Sequence, residues 1–546
     1  MTNKEIATAF KNLAAIMELH DESVFKTRSY NTAYVNLRRL DSPLSDMNDA
    51  ELASLPGVGK AIKEKIQELI STGTLQTYEK YADMTPPGII DMLSIKGLGP
   101  KKIKTIWEEM EIETVGELLY ACNENRLSQI KGFGAKSQED IRQKIEYYFQ
   151  SQGQFRYGQL ISVAEELLGE LKYIYNGTSV ELTGAIRRKC NTLDKIEIII
   201  GDTELAEEIF ENGLLDILSE EEGVIESKTA DGILVLLYLV DEADFIPSWF
   251  YTTASEDFRE AIGELPLGNF TSEEDIFEKL ELPYYIPEMR EGVIHGTDIQ
   301  EEIIELSDIK GVIHSHTTYS DGIHTLSQMA EAAQSKGYAY IGITDHSQTA
   351  FYANGLKPDR LLQQIAEIDE LNAGFDNFRI LKGIESDILN DGRLDYEEAL
   401  LNQLDFVIAS VHANLKMDEA KATKRIITAI EHPATTILGH PTGRLLLSRK
   451  GYPLDHKKII EACAANQVSI ELNANPHRLD IDWSWIPYCM EKGVMISINP
   501  DAHSINGIDD ISFGVASARK GGLSKKYCLN ARPLEAFLKL LHKERV

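Results

Sequence analysis

The feature that most constrains the fold is an alternation of short apolar segments and amphipathic segments between residues 311 and 498. The apolar segments have the length and composition of buried strands, whereas stretches such as 325–335, 360–371 and 421–430 repeat with helical period. Seven such alternations predict a parallel barrel. The predicted strands are Gly311–His314, Tyr340–Thr344, Phe378–Gly383, Phe406–Ser410, Thr436–Leu438, Val468–Leu472 and Val494–Ile498.

Metal-ligand residue types lie at the ends of six of these strands. Barrel enzymes place their chemistry at the carboxyl ends of the strands, where such side chains would meet. His314 and His316 are two residues apart, so in a strand both would point to one face. Such a pair alone could be ordinary packing, but the clustering favours a metal site. The candidates are His314, His316, Asp321, Asp345, His346, Glu385, His412, His440, Asp501 and His503.

Length and composition predict a multidomain cytoplasmic protein. A chain of 546 residues is too long for one core, which predicts three or four domains. The N-terminus lacks the layout of a signal peptide, and the longest apolar run, 233–240, is far below the ~20 residues that span a bilayer. Five scattered cysteines without a CxxC pair argue against a disulfide framework and a thiolate zinc site.

The negative charge is concentrated in one part of the chain. The formal net charge is −32, but residues 201–300 alone hold 26 Asp and Glu against four Lys and Arg. Residues 1–80 are close to neutral, with 10 basic and 11 acidic side chains. The overall charge therefore does not exclude a nucleic-acid partner for the N-terminal region.

Three N-terminal segments, 52–66, 93–106 and 127–141, share a Gly-x-Gly turn followed by a helical pattern. Such a turn needs positive φ, and the free N–H groups of the following helix can hold a phosphate without reading base sequence. The alternative is a plain turn between two helices, but three copies, two of them followed by lysines, favour DNA binding. The candidate DNA contacts are Gly57, Gly59, Gly97, Gly99, Lys101, Lys102, Gly132 and Gly134.

These segments resemble helix-hairpin-helix motifs, and their order is similar to the N-terminal half of family X DNA polymerases. Residues 24–40 match the opening helix pair of that family, which adds Lys26 and Tyr30 to the expected DNA contacts. Some members use a lysine in the helix after the first Gly-x-Gly as a Schiff-base nucleophile on abasic sugar phosphates. Lys65 lies at that position, although a solvated helix lysine is the simpler interpretation.

Residues 182–201 resemble the palm signature of the same family, Gly-Ser-x-Arg-Arg followed by a strand with Asp-x-Asp. Gly184, Arg187 and Arg188 match, and the two arginines are candidate contacts for a nucleotide phosphate. The serine of the signature is replaced by Ala185. The acidic window covers the rest of this palm and the expected thumb, surfaces that a working polymerase brings close to DNA phosphates.

The carboxylates that nucleotidyl transfer requires are mostly missing. That reaction uses three carboxylates to hold two Mg²⁺ ions. The Asp-x-Asp positions hold Lys195 and Glu197, and Leu236 aligns with the third aspartate. An ammonium at position 195 would repel a divalent cation. We therefore expect a polymerase scaffold that does not add nucleotides.

Residues 309–546 resemble the PHP (polymerase and histidinol phosphatase) family, with every motif of that family present. The resemblance implies three divalent metals, Mn²⁺, Zn²⁺ or Fe, and a water activated near neutral pH that attacks a phosphoester. Asp345 is an expected acceptor for an imidazole, and Arg444 and Arg478 are candidate contacts for substrate phosphate. The implied ligand sets are His314, His316, Glu385 and Asp501, expected also to be catalytic; Glu385, His412 and His440; and Asp321, His346 and His503.

Together these patterns predict a DNA repair protein that acts as a metal-dependent 3′–5′ exonuclease or abasic-site phosphodiesterase. Its expected partners are gapped, nicked or single-stranded 3′ ends of DNA, without a membrane, and its oligomeric state stays open. An active gap-filling polymerase with a PHP editing nuclease, or a DNA-end binding module, are the alternatives. The predicted domains are a helical DNA-binding domain (1–80), helix-hairpin-helix fingers (81–153), an α+β nucleotidyltransferase-like palm (154–245), a thumb (246–295), a linker (296–308) and a (β/α)7 distorted TIM-like PHP barrel (309–546).

Overall fold

The structure is a computed structural model that describes residues 1–38, 40, 42–95, 97–150, 153–205, 209, 213–292 and 302–541. The chain forms two compact units. The first unit contains Met1–Asn123 and Leu127–Tyr148, and the second contains Glu124–Arg126 and Phe149–Val546. Part of the predicted linker, residues 296–301, lies outside the described residues.

The first unit is helical. Its N-terminal helix begins with a capping box in which the side chains of Thr2 and Glu5 accept hydrogen bonds from each other's backbone N–H groups. The helix buries Ile6, Phe10 and Leu13. The helices are α1 (Asn3–Leu19), α2 (Val24–Leu37), α3 (Asp49–Ser54), α4 (Lys60–Thr72), α5 (Gln76–Ala82), α6 (Pro87–Met92), α7 (Pro100–Met110), α8 (Val115–Asn123) and α9 (Ala135–Gln150).

The three Gly-x-Gly segments adopt one conformation. The first glycine of each has positive φ, +80° at Gly57, +94° at Gly97 and +96° at Gly132. The second glycine stands immediately before a helix, at the N-terminal ends of α4, α7 and α9. The turn predicted from the repeats is therefore present in all three copies, and each leaves a helix N-terminus available.

The second unit begins with a mixed sheet. Its core contains Ile196, Ile198, Val235 and Leu237, whose alternation on two neighbouring strands buries one face. The sheet order is β2-β4-β7-β6-β5, and β1 pairs with β3 separately. The elements are β1 (Phe155–Arg156), α10 (Tyr157–Ile174), β2 (Val180–Leu182), α11 (Gly184–Arg187), β3 (Thr192–Leu193), β4 (Lys195–Ile200), β5 (Asp216–Glu221), β6 (Val224–Lys228), β7 (Leu234–Leu239), α12 (Phe245–Thr253), α13 (Glu256–Ile262) and α14 (Glu273–Lys279).

Parallel strands alternate with helices in the rest of the second unit. Each of the seven predicted segments contains a strand, and the third is followed by a further short strand. The strands are β8 (Gly311–Ser315), β9 (Tyr340–Ile343), β10 (Arg379–Lys382), β11 (Glu385–Asp387), β12 (Ile408–Ser410), β13 (Ile437–Leu438), β14 (Ser469–Asn473) and β15 (Ile496–Asn499). The helices are α15 (Leu326–Ser335), α16 (Pro358–Asn372), α17 (Glu398–Leu401), α18 (Glu419–Ile430), α19 (His456–Asn466), α20 (Ile486–Glu491), α21 (Ile511–Lys520) and α22 (Leu534–Leu541).

These strands form two parallel sheets that are connected by isolated bridges near the strand ends. The sheet orders are β10-β9-β8 and β11-β12-β13-β14-β15. Parallel bridges connect Ser315 with Ala502 and His346 with Glu385, so the strand ends that carry the candidate ligands are held together by backbone contacts. Among the described residues, no helix combines the length and apolar character that a membrane crossing requires.

Candidate metal centre

The site is built from the carboxyl end of β8. His314 has φ +74°, and the pairing of β8 with β9 shifts register between Val312 and Ser315. His316 lies beyond the strand, yet its ring centroid is 5.2 Å from that of His314. The two imidazoles converge as expected, but the cause is an irregularity in the strand rather than regular alternation. Positive φ at a non-glycine residue is typical of functional sites.

The first predicted ligand set is close together in space. The Nε2 atom of His314 lies 3.4 Å from Glu385 Oε1 and 3.3 Å from Asp501 Oδ1. The Nε2 atom of His316 lies 3.1 Å from the same Asp501 oxygen. Asp501 also has positive φ, +54°, so the backbone at this ligand is strained as well.

The second set shares the carboxylate of Glu385, the first residue of β11. Its Oε1 atom lies 3.1 Å from His412 Nε2 and 3.0 Å from His440 Nε2. Since His314 contacts the same oxygen, Glu385 stands between the first and second sets. The ends of β8, β11, β12 and β13 therefore contribute to one cluster.

The third set surrounds Asp321. The Nε2 atoms of His503 and His346 lie 3.5 and 3.6 Å from its carboxylate oxygens. His316 also approaches this carboxylate, with its Nδ1 atom 3.7 Å away, so it lies between the first and third sets. The geometry thus joins the three sets into one continuous site.

Unsatisfied polar atoms test whether this site fits metal ions. Eight of the nine candidate ligands are buried, and His412 is nearly so. Buried polar atoms normally have hydrogen-bond partners, whereas seven of these side chains have an atom without one among the described residues. Imidazole and carboxylate donors that converge without such partners fit divalent cations. The atoms are His314 Nε2, His316 Nδ1, Asp321 Oδ2, His346 Nδ1, Glu385 Oε2, His440 Nδ1 and His503 Nε2.

Electrostatics favour the metal-binding form of two candidate ligands, His316 and Glu385. Burial lowers the pKa of His316 to about 4, and the neighbouring His503 adds to this, so the imidazole is neutral at physiological pH. Burial raises the pKa of Glu385, but the charges of His412 and His314 outweigh it and hold the pKa well below its ordinary value. Glu385 is therefore an anionic ligand and His316 a neutral one.

Two carboxylates that sequence reasoning missed orient the histidines. Glu471 Oε2 accepts a hydrogen bond from His314 Nδ1 at 2.7 Å, and Asp387 Oδ1 accepts one from His412 Nδ1 at 2.5 Å. Each leaves Nε2 of its imidazole facing Glu385, as expected of residues that support metal ligands. The available signals were a carboxylate inside a predicted buried strand, at Glu471, and one two residues after a ligand, at Asp387.

Asp345 differs from its expected role. It accepts hydrogen bonds from the backbone N–H and hydroxyl of Thr317, at 2.8 and 2.7 Å, and from Ser320 and Gln364. Asp345 therefore orders the loop that connects His316 to Asp321 instead of orienting an imidazole. A carboxylate next to a ligand in sequence points away from it when the backbone is extended.

The two candidate phosphate-binding arginines have different surroundings. Arg444 donates to Asp482 at 2.6 Å and to the carbonyl groups of Arg478 and Leu479. These contacts favour a structural role for Arg444. Arg478 is 5% exposed, and its Nε atom lies 3.8 Å from Asp501 Oδ2, which places its guanidinium beside the metal ligands.

The two strands compared in the sequence analysis lie side by side in the mixed sheet. In the parallel pairing of β4 with β7, Lys195 faces Leu234 and Glu197 faces Leu236. Glu197 is 8% exposed and accepts hydrogen bonds from the N–H of Ala185 and the hydroxyl of Tyr238, both at 3.0 Å. Its carboxylate is thus engaged within the fold.

Arg187 and Arg188 are bound by carboxylates of the same chain. Arg187 forms a two-point contact with Glu273, at 2.8 and 2.7 Å, and its guanidinium lies 3.5 Å from the ring centroid of Trp249. Arg188 donates to Glu291 at 3.0 Å. Both guanidinium groups therefore already have anionic partners.

The remaining candidates lie in the first unit. Lys65 donates to the hydroxyl of Thr77 at 2.6 Å, Lys26 pairs with Glu22 at 2.9 Å on the surface, and Tyr30 packs against Phe10. Lys101 is exposed in the first turn of α7. Lys102, next to it, lies over the ring of Phe133.

Comparison with known proteins agrees with this layout. Residues 1–75 match the family described as "Helix-hairpin-helix domain", 89–146 match "SAM-like Helix-hairpin-helix tandem", and 313–475 match "PHP domain". The "DNA polymerase/3′-5′ exonuclease PolX" of Bacillus subtilis (strain 168) is 36% identical over 574 aligned positions, which cover 99% of this chain and all of that protein.

Shorter relatives match the C-terminal part of the chain alone. A "probable phosphatase" of Thermoanaerobacter sp. (strain X514) is 28% identical over 40% of this chain and 88% of its own length. Another, YcdX of Escherichia coli O81 (strain ED1a), is 31% identical over 30% of this chain and 62% of its own length. Together with the full-length relative, these matches show that the chain belongs to the PolX-type family X DNA polymerases, with helix-hairpin-helix domains in its N-terminal region and a C-terminal PHP domain.

Proposed function

We propose that this protein is a metal-dependent 3′–5′ exonuclease whose active site is the candidate metal centre. The supporting observation is the convergence of nine imidazole and carboxylate side chains, His440 among them through Glu385, most of them with a buried polar atom that lacks a partner among the described residues. We assign the ligands to three divalent cations in the sets named above, in a distorted TIM-like (β/α)7 barrel. Manganese and zinc both suit this donor set.

Divalent cations, when bound, supply Lewis acidity toward water and toward the phosphoryl oxygens of a phosphodiester. Glu385 contacts histidines of the first and second sets, so its carboxylate would help to hold the cations of both sets. Arg478, beside Asp501, can donate to a phosphoryl oxygen at the edge of the cluster. Glu471 and Asp387 hold the ligating rings in place.

The helix-hairpin-helix repeats support DNA as the substrate. Their three turns present helix N-termini that suit backbone phosphates, and DNA-end processing requires such sequence-independent contacts. The full-length relative carries "3′-5′ exonuclease" in its name. We propose that gapped, nicked or single-stranded 3′ ends are bound by the 1–80 and 81–153 regions and hydrolysed at the PHP centre.

We further propose that nucleotide addition has been lost from the palm (154–245) and thumb (246–295) regions. One of the three carboxylate positions, Glu197, retains an acid, and this carboxylate is hydrogen-bonded to Ala185 and Tyr238. Glu273 and Glu291 hold the two arginines that would receive a nucleotide phosphate. A triphosphate would have to displace these carboxylates.

The nuclease assignment is tested with wild type, His316→Ala and Glu385→Ala on 5′-labelled single-stranded, gapped and abasic DNA with Mn²⁺. We expect loss of at least a hundredfold in the rate of 3′ shortening in both variants, because each removes a ligand shared between sets. Glu370→Ala, at an exposed helix position, is the control and should retain wild-type activity. Equal rates in all four proteins would contradict the assignment.

Two further assays separate the alternatives. Incubation of wild type with a gapped primer, Mg²⁺ or Mn²⁺ and all four dNTPs should produce no lengthening of the primer. Any extension that survives His316→Ala would contradict the loss of polymerase activity.

Hydrolysis of a phosphomonoester such as p-nitrophenyl phosphate tests for a phosphatase like those named among the shorter relatives. We expect the rate of DNA hydrolysis to exceed the rate of p-nitrophenyl phosphate hydrolysis.

A further inference from the structure

Glu124 brings a carboxylate to the metal centre from a distant part of the sequence. The segment Glu124–Arg126 belongs to the second unit, and Glu124 is 5% exposed. Its Oε1 atom lies 3.8 Å from His503 Nδ1 and has no hydrogen-bond partner among the described residues. A buried carboxylate oxygen that makes no hydrogen bond is costly, so its position beside a candidate metal ligand calls for a compensating charge.

The orientation of His503 indicates how Glu124 can act. The Nδ1 atom of His503 is 2.9 Å from the carbonyl oxygen of Asp501, to which it donates when protonated there. The Nε2 atom then carries the lone pair, and it faces Asp321 at 3.5 Å without a hydrogen-bond partner of its own among the described residues. Glu124 therefore lies near the nitrogen that does not face Asp321.

These contacts fit a role of Glu124 in orienting His503 better than a role as a direct metal ligand. Ligand-type atoms of Glu124, Asp501 and His503 do lie within 4.8 Å of one another. However, His503 would have to release the Asp501 carbonyl to offer Nδ1 to a cation in this group. A carboxylate near the free side of a ligating imidazole instead stabilises the ring orientation and increases the basicity of the other nitrogen.

A second contact anchors the same segment beside the site. The guanidinium of Arg126 lies 4.1 Å from the ring centroid of Tyr352, within the range of a cation–π interaction. The Tyr352 ring is in turn 6.1 Å from the ring of His346, another candidate ligand of the third set. Glu124 thus lies beside His503, and Arg126 packs on an aromatic ring that lies near His346 of the same ligand set.

We propose that Glu124 is a positioning residue of the metal centre, which holds His503 with Nε2 toward Asp321 and strengthens binding of the cation there. The inference rests on the proposed metal centre and adds to it a residue that none of the barrel motifs contains. Supporting carboxylates of this kind typically contribute about 10- to 100-fold to metal affinity. The charge of Glu124, rather than its volume, carries the effect.

The test measures Mn²⁺ binding to the full-length apo-protein by equilibrium dialysis, with electron paramagnetic resonance of the free ion. Glu124→Gln keeps the shape and removes the charge, so we expect one class of Mn²⁺ sites to weaken by about tenfold. Glu124→Asp keeps the charge and should lie closer to wild type. Glu166→Gln, an exposed position on α10, should match wild type and controls for the overall change in charge.

His503→Ala separates failure of this inference from failure of the metal centre. If His503→Ala loses a Mn²⁺ site but Glu124→Gln binds like wild type, the role of Glu124 is refuted and the centre stands. If neither variant alters Mn²⁺ binding, both are refuted. Thermal unfolding of the apo-proteins tests a merely structural role: a Glu124→Gln protein with lowered melting temperature and unchanged Mn²⁺ affinity would also overturn the inference.

Discussion

At the scale of single residues, Glu273 is a buried carboxylate that binds two arginine side chains. Two arginines make two-point contacts with its carboxylate, Arg187 at 2.8 and 2.7 Å and Arg290 at 2.6 and 3.0 Å. The Arg290 side chain is fully buried. Breaking a buried pair leaves an uncompensated charge, so such a cluster tolerates loss of one partner poorly.

We expect Glu273→Gln to reduce the free energy of unfolding by about 3 kcal/mol at pH 7, because Arg290 then remains charged and buried without an anion. Urea denaturation followed by tryptophan fluorescence measures this, since Trp249 lies against Arg187. Glu274→Gln changes the next residue, which is exposed, and should leave stability unchanged. Equal stability of the two variants would show that the cluster contributes little.

The same cluster gives a pH dependence with a defined sign. Burial raises the pKa of Glu273, but the hydrogen bonds from Arg187 and Arg290 outweigh it and lower the pKa below 4.5. A lowered folded-state pKa contributes stability that is present above the unfolded pKa and is lost as pH falls through the folded pKa. The stability difference between wild type and Glu273→Gln should therefore shrink below about pH 4.5.

At the scale of elements, the two glycines of a Gly-x-Gly turn differ in backbone conformation although both have free space around them. Gly132 has φ +96°, whereas Gly134 stands before α9 outside the positive-φ region. No described atom would lie within 4 Å of a Cβ added at either position, apart from the glycine's immediate surroundings. The two positions thus differ in backbone conformation and not in available space.

Gly132→Ala should weaken DNA binding more than Gly134→Ala, because alanine can adopt the backbone conformation of Gly134 without strain. The alanine at 132 must adopt a left-handed conformation at a cost of about 1 kcal/mol, which distorts the turn that presents the helix N-terminus. Fluorescence anisotropy with labelled gapped duplex at fixed salt measures the affinity, and we expect a several-fold loss. Equal affinity of both variants would indicate that this third repeat does not contact DNA.

At the scale of the whole molecule, the candidate metal centre brings together residues from strands that are far apart in the sequence. His314 lies in the first of the parallel strands and His503 follows the last, whereas Glu385, His412 and His440 lie in or after strands between them. Cations bound to these residues would connect the carboxyl ends of the two parallel sheets. Ligand binding to the folded state alone raises stability by mass action.

Metal removal should therefore lower the melting temperature of the second unit. Free Mn²⁺ at 100 times its dissociation constant should restore about 2.7 kcal/mol for each site. Differential scanning calorimetry of chelated and Mn²⁺-loaded protein measures the change. His316→Ala should respond less than wild type, and an equal response would mean that Mn²⁺ binds elsewhere.

Much of the candidate site could be predicted because each ligand lies next to a strand pattern that is visible in the sequence. The nine ligands follow apolar strand patterns, and strand ends in a parallel arrangement meet at one edge. The same reasoning could not assign Asp345, because its partners Thr317, Ser320 and Gln364 are chosen by loop packing. Nor could it recognise that Arg444 is bound to Asp482.

The repeat turns, the strand positions and the non-acidic residues at Lys195 and Leu236 could be read from the sequence, because glycine conformation, hydrophobic period and residue identity are local properties. Which side chains support the candidate ligands depends instead on tertiary packing. Glu471, Asp387 and Glu124 approach histidines far from them or on other strands, and such contacts depend on how strands and loops pack. The positive φ of His314 likewise follows from pairing with β9 and not from any pattern in the chain.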